Sequence, residues 1–169
     1  AESNRVNLTL IPPRRGWIVD RAGVPIANNR TDFRVDIIPD RMEKESRGRV
    51  LAALRDLLAL TAEDLVRIEE DLKGAAGFQP VQVAENLDWE RFAAVSVRLP
   101  ELPGVAPTRG FARNYPAGAA VAHLVGYVGA ATAEQFKASK DPLLLTPGFK
   151  LGKDGLEKVL EGELRGKPG

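Results

Sequence analysis

The sequence contains no cysteine and only one histidine among its 169 residues. The first absence excludes a disulfide framework and every cysteine-based metal site. The second leaves too few nitrogen ligands for an ordinary four-coordinate zinc centre, so no metal and no cofactor is expected. No apolar run approaches the length needed to span a bilayer, and no secretion signal is present. An excess of charge is also lacking: 24 Lys and Arg against 23 Asp and Glu leave a formal net charge of +1. That balance provides no general basic field for nucleic acid or an anionic membrane. What is present, 44% hydrophobic and 28% charged residues, is ordinary for a folded chain. The length suffices to bury a core as one domain or two small subdomains.

The first third reads as extended structure. Residues 7–38, NLTLIPPRRGWIVDRAGVPIANNRTDFRVDII, hold short apolar runs broken by Pro, Gly and Asn. Trp17–Val19 and Val24–Ala27 flank Asp20-Arg21-Ala22-Gly23, with Asp first and Gly last as a tight turn prefers, and this predicts a hairpin. Phe33, Val35 and Ile37 alternate with polar residues as in a half-buried strand ending at Pro39.

The middle third is helical. Val50, Leu51, Leu54, Leu57 and Leu58 recur at helical spacing, and Thr61 with Asp64 marks a second helix carrying Leu65, Ile68 and Leu72. After an extended piece at 79–84, Asp88 caps a third helix with Trp89, Phe92, Val95 and Leu99. In the last third Val105–Arg113 is extended, Pro116 suits the first turn of a short helix, and Leu124–Val128 reads as a strand. Thr132 with Gln135 starts a brief helix. In the closing stretch, TPGFKLGKDGLEKVLEGELRGKPG, Asp154 is expected to N-cap a helix and Glu157 to reach back in a capping box. Leu156, Val159, Leu160 and Leu164 then form its apolar face, and Gly166 ends it. The whole predicts an α+β fold: a sheet-based base formed by 1–40 and 104–169, with a mainly helical subdomain, 41–103, inserted between Pro39 and Pro103-Gly104.

Catalytic constellations are scarce. A small phosphate-handling enzyme built on Lys153 is the sharpest alternative, but only three residues separate Gly148 from Gly152, where a phosphate loop needs four. Asp154 stands where a phosphate loop needs Ser or Thr. His123 lies in an apolar stretch without an evident nucleophile or orienting acid, so a packed, hydrogen-bonded structural role is expected. Glu69, Glu70 and Asp71 occupy successive helical positions and cannot share one face. Arg14, Arg15 and Arg21 are expected to pair with local acids or shield a strand edge.

Three stretches taken together carry a resemblance. PPRRGWIVDRAGVPIANN, ARNYPAGAAVAHLVGYVG and GKDGLEKVLEGELRGKPG stand in the order and spacing of the N-terminal pedestal (dimerisation) region of class B penicillin-binding proteins. The resemblance covers essentially the whole chain. NNRTDFRVDIIPD and HLVGYVG favour the elongation type, penicillin-binding protein 2, over the division type, which remains the alternative. The motif positions that carry over are Arg15, Gly16, Asp20, Arg21 and Gly23; Arg113, Tyr115, Pro116, His123 and Gly126; and Gly152, Gly155 and Glu157. All are expected to be structural. Arg113, Tyr115, Pro116 and His123 are expected to fix the join between an extended segment and a short helix.

The resemblance also implies what this chain does not do. The family's transpeptidase domain uses Ser-x-x-Lys and Lys-Thr-Gly motifs. None of Ser3, Ser46, Ser96 and Ser139 has a lysine three positions on, and Lys-Thr-Gly is absent. The pedestal is therefore expected to be non-catalytic, with the catalytic domain following LRGKPG in the parent protein. By resemblance, that parent is a peptidoglycan D,D-transpeptidase of cell elongation, facing the periplasm and tethered to the inner membrane by a helix upstream of Ala1. The ESNRV segment resembles the exit from that anchor. The implied partners are a membrane glycan polymerase of the shape, elongation, division and sporulation family and a rod-shape scaffold protein. The helices within 47–99 are the candidates for partner binding.

Overall fold

The computed structural model describes residues 10–75 and 77–168, so ESNRV lies outside the described residues. Contacts divide the chain into two compact units. One is Thr31–Ala112, and the other is formed by Ala1–Arg30 with Arg113–Gly169. Both helix and strand are prominent, as the α+β expectation required. The punctuating Pro39 and Pro103-Gly104 both lie inside the first of these units; strand β2 comprises Pro25–Ile37 and strand β4 Val105–Asn114.

In the Thr31–Ala112 unit, the end of β2 pairs antiparallel with β3 (Val81–Ala84), and β4 pairs β2. Three helices supply the rest: α1 (Arg47–Leu58), α2 (Ala62–Gly74) and α3 (Trp89–Val97). The period-2 pattern sends Val35, Ile37, Val81 and Val83 into one core. Onto them pack Val50, Leu51, Leu54 and Leu58 of α1, Ile68 and Leu72 of α2, and Val95 of α3. The helix starts follow their sequence signals. Thr61 and Asp64 form a reciprocal capping box, and the Asp88 carboxylate accepts from the Arg91 N–H.

The alternate residues of β2, Asp32, Arg34 and Asp36, are buried as well. Burial pushes the Asp36 carboxyl up to about 6, against the opposing pull of Arg34 and Thr108. A carboxyl whose folded-state pKa is raised takes up its proton more readily folded than unfolded. Between its ordinary value of 3.8 and about 6, this group therefore adds stability as pH falls and withdraws it as pH rises. We expect wild type to gain denaturant resistance relative to Asp36→Asn between pH 7 and pH 5. A difference independent of pH would contradict this.

In the other unit, β1 (Ile18–Val19) and the start of β2 form the expected hairpin, with Ile18 opposite Ala27. Its turn is closed by the Gly23 N–H donating to the Asp20 carbonyl at 3.0 Å, with Gly23 at φ 81°. The Asp20 carboxylate accepts from the N–H groups of Ala22 and Val24. After β4, Pro116 occupies the second position of a turn, in which the Gly118 N–H donates to the Tyr115 carbonyl. It thus precedes the short helix instead of opening it. Leu124 belongs to helix α4 (Ala122–Val125), not to a strand, and strand β5 is confined to Val128–Gly129. Helix α5 (Ala133–Ser139) begins at the Thr132–Gln135 capping box, and β6 (Leu151–Gly152) pairs with β5.

The closing helix differs from its prediction. It breaks at Leu160 into α6 (Gly155–Val159) and α7 (Glu161–Leu164), and Val159 is 78% exposed. Asp154 does cap, but Glu157 forms no capping box, because it is completely buried. With Glu157 inward, the residues three, four and seven positions on (Leu160, Glu161, Leu164) share its face, and Val159 turns away. Gly166 ends the segment at φ 75°, as expected. Two small cores result: Ile18, Ala27, Val125 and Leu164, and separately Leu143, Phe149 and Leu151.

Candidate functional site

The chemistry of this unit centres on Glu157, whose relative exposure is 0%. Arg15, just before β1, donates from Nε to Glu157 Oε2 at 2.6 Å and from Nη2 to the Glu157 carbonyl at 2.9 Å. The same Nη2 lies 2.7 Å from Glu161 Oε2. Arg113, near the end of β4, donates from Nε to Glu157 Oε1 at 2.6 Å. Its Nη1 reaches the Gly16 carbonyl at 2.7 Å and Asn29 Oδ1 at 3.2 Å. The Tyr115 hydroxyl donates to Glu157 Oε1 at 3.3 Å. Asn29 closes the ring by donating to the Arg15 carbonyl, and Glu161 accepts from the Gly152 N–H at 2.8 Å.

Two guanidiniums facing two carboxylates make a neutral buried cluster, the arrangement by which an interior tolerates charge. Burial alone would lower the pKa of Arg15, but the hydrogen bonds and charges of Glu161 and Glu157 outweigh it and hold the group above its ordinary value. Burial, then the Glu157 charge, pushes the Tyr115 phenol up to about 12. Arg15 is thereby held as a cation and Tyr115 as a neutral phenol at neutral pH. Both Glu157 oxygens are occupied by the chain's own donors, so this is a clamp and not an acid–base site.

Close backbone approaches complete the clamp. A Cβ on Gly152 would lie 1.9 Å from the Glu157 carbonyl oxygen. Gly126 and Gly155 adopt φ of 74° and 56°. Their missing side chains let α4 and the start of α6 touch: a Cβ on Gly126 would meet the Asp154 carbonyl oxygen at 2.0 Å. Gly16 donates its N–H to the Leu164 carbonyl at 2.8 Å.

The structure therefore gathers Arg15, Gly16, Arg113, Tyr115, Gly152 and Glu157 at one place, with Gly126 and Gly155 forming the adjoining contact. Asp20, Arg21 and Gly23 stand apart in the hairpin turn, and Pro116 lies in its own turn. His123 is exposed, which corrects the expectation of a packed, buried histidine: it sits on the solvent side of α4 while Val125 faces inward. His123→Ala should accordingly shift stability by no more than about 0.5 kcal/mol in thermal denaturation. A loss of several times that size would restore a structural role. Asn29 and Glu161 were missed from sequence. Glu161 was detectable as the i+4 companion of Glu157, whereas nothing local marks which of two adjacent asparagines turns inward.

The Lys153 loop holds no free phosphate cradle. The Lys153 ammonium donates to Gln135 Oε1 at 2.6 Å, and its backbone N–H donates to the Tyr127 carbonyl. Among the described residues no cluster of His, Cys, Asp and Glu has the makings of a metal site, and no helix is long and apolar enough to cross a membrane. In the Thr31–Ala112 unit the helices leave Val66, Trp89 and Val97 exposed. Trp89, 62% exposed, packs edge-on to Phe33 with ring centroids 5.6 Å apart.

A family model described as the penicillin-binding protein dimerisation domain matches residues 10–169. "Peptidoglycan D,D-transpeptidase MrdA" of Acinetobacter baumannii is 34% identical over 169 residues, covering 100% of this chain and 25% of that protein. The Escherichia coli K12 protein of the same name is 31% identical over 173 residues, covering 100% of this chain and 27% of its own length. "Penicillin-binding protein 3" of Bacillus subtilis is 31% identical over 170 residues, again across 100% of this chain and 25% of the relative. The chain thus spans about a quarter of the length of these relatives. A solved complex between penicillin-binding protein PBP2 and MreC from Helicobacter pylori superposes with a TM-score of 0.74. It covers 95% of this chain and 30% of that one at 21% identity, a likeness of fold.

Proposed function

We infer a function from one premise: this chain belongs to the penicillin-binding protein dimerisation-domain family. The proposal is that it serves as the non-catalytic pedestal of an elongation-type peptidoglycan D,D-transpeptidase. That parent would be held on the periplasmic side of the inner membrane. In this reading the clamped unit is the anchor of the pedestal, and the helical unit is a head that receives a rod-shape scaffold protein. A membrane glycan polymerase of the shape, elongation, division and sporulation family is the second partner.

The observation carrying this reading is the match to MrdA relatives across the whole chain, together with a sequence that holds neither Ser-x-x-Lys nor Lys-Thr-Gly. The clamp supports it, since both Glu157 carboxylate oxygens are held by the chain's own arginines. The solved relative was captured with MreC, which makes a scaffold of that kind the partner to try first. The exposed Val66, Trp89 and Val97 give the head apolar anchors of the type that dominate interfaces.

Calorimetric titration with the periplasmic part of a rod-shape scaffold protein tests the proposal. Saturable binding, weakened by Trp89→Ala, is expected, and a fluorescent penicillin should leave the chain unlabelled. Absence of binding up to roughly millimolar concentrations, the weak end of specific association, would count against it. So would a covalent label on any serine.

A further inference from the structure

We propose that Arg67 is a strand-edge guard, whose guanidinium fills backbone acceptors through which a second copy of this chain would otherwise pair with β3. Among the described residues β3 pairs only with β2 and so lies at the edge of its ladder. Its sequence, Val81-Gln82-Val83-Ala84, is rich in β-branched residues and carries no charge and no proline. Exposed edges of that composition template strand addition unless something blunts them.

Arg67 supplies the block. It projects from α2, whose Ile68 and Leu72 are buried in the same core as Val81 and Val83, so helix and strand are held together. From there Nη1 donates to the Gln82 carbonyl and Nη2 to the Val83 carbonyl, both at 2.9 Å. Asp64 and Asp71, three positions before and four after on α2, lie 3.9 and 3.5 Å from the same guanidinium and orient it. A planar fork satisfies two neighbouring acceptors at once, which a lysine ammonium on its flexible stem does poorly. The Arg67 side chain faces solvent over this edge, 43% exposed, while Val83 beneath it is only 1% exposed.

A second copy is the occupant that fits. Antiparallel pairing of β3 with another β3 is self-complementary, each strand offering the donors and acceptors the other needs, and it closes as a two-fold dimer. Guarding the edge keeps this unit from assembling through the wrong surface.

Sedimentation equilibrium on the whole chain tests the proposal. Arg67→Ala should self-associate roughly tenfold or more tightly than wild type, as two released backbone acceptors imply. Arg67→Lys, which keeps charge and stem but loses the fork, should be intermediate and stays informative if the alanine variant does not fold. Adding Gln82→Lys to either variant should cancel the gain, because like charges then face each other across the new pair. Hydrogen exchange at 81–84 should slow at high concentration in Arg67→Ala alone. A folded Arg67→Ala or Arg67→Lys with wild-type association would overturn the proposal. Added association that persists with Gln82→Lys, without protection at 81–84, would overturn it too.

Discussion

Glu157→Ala should lower the unfolding free energy of the clamped unit by about 3–5 kcal/mol, the usual cost of removing one partner from a buried ionic cluster. The loss does not measure what the ion pairs add over an apolar core. It arises because Arg15 and Arg113 keep side chains only 10% and 3% exposed and then face no carboxylate at Glu157. Glu157→Gln, close in shape, retains an acceptor for one guanidinium and should cost less. The sequence provides a way to read this unit alone. Trp17 lies in the clamped unit and Trp89 in the other, so a Trp89→Phe background leaves indole fluorescence to report the clamp. Urea unfolding in that background should show a lowered midpoint at unchanged slope. A midpoint within experimental error of the parent would mean that Glu157 is not what holds the segments together.

Gly152→Ala should be at least as damaging, with a loss above about 4 kcal/mol or failure to fold. Its Cβ would stand 1.9 Å from the Glu157 carbonyl oxygen and 2.2 Å from the carbonyl carbon, and both are backbone atoms that cannot swing aside. Accommodating the methyl would push α6 away from β6 and draw Glu157 off its arginines. Gly162→Ala is the matching control. It lies in α7 with nothing within 4 Å of the added carbon, so it should stabilise by about 0.5–1 kcal/mol through helix propensity. Similar effects from the two substitutions would show that backbone proximity at Gly152 does not constrain the fold.

How far the sequence led depends on the range of the forces involved. Thr61 with Asp64, Thr132 with Gln135, and Asp88 were legible as helix starts because capping is settled within four residues. The hairpin at Asp20–Gly23 was legible for the same reason. Glu157 was not. Its local signal, an acid three residues after Asp154, is that of a capping box, but partners 142 and 44 residues away draw it into the interior. That long-range pairing also explains the broken closing helix and the exposed Val159. His123 misled in the opposite direction: an apolar neighbourhood in sequence became the outer face of a one-turn helix. The family motifs named most of the clamp, but only the folded arrangement shows why an arginine from each of the first two stretches and a glutamate from the third occur together.

The most direct test of the clamp is a double-mutant cycle between Arg113 and Glu157, followed by Trp17 fluorescence in urea. Groups sharing one buried network couple, whereas distant independent sites add within about 0.5 kcal/mol. The clamp predicts that Arg113→Ala with Glu157→Ala costs at least about 1.5 kcal/mol less than the sum of the two single substitutions. Additive losses, with no energy of interaction between the two residues, would contradict it.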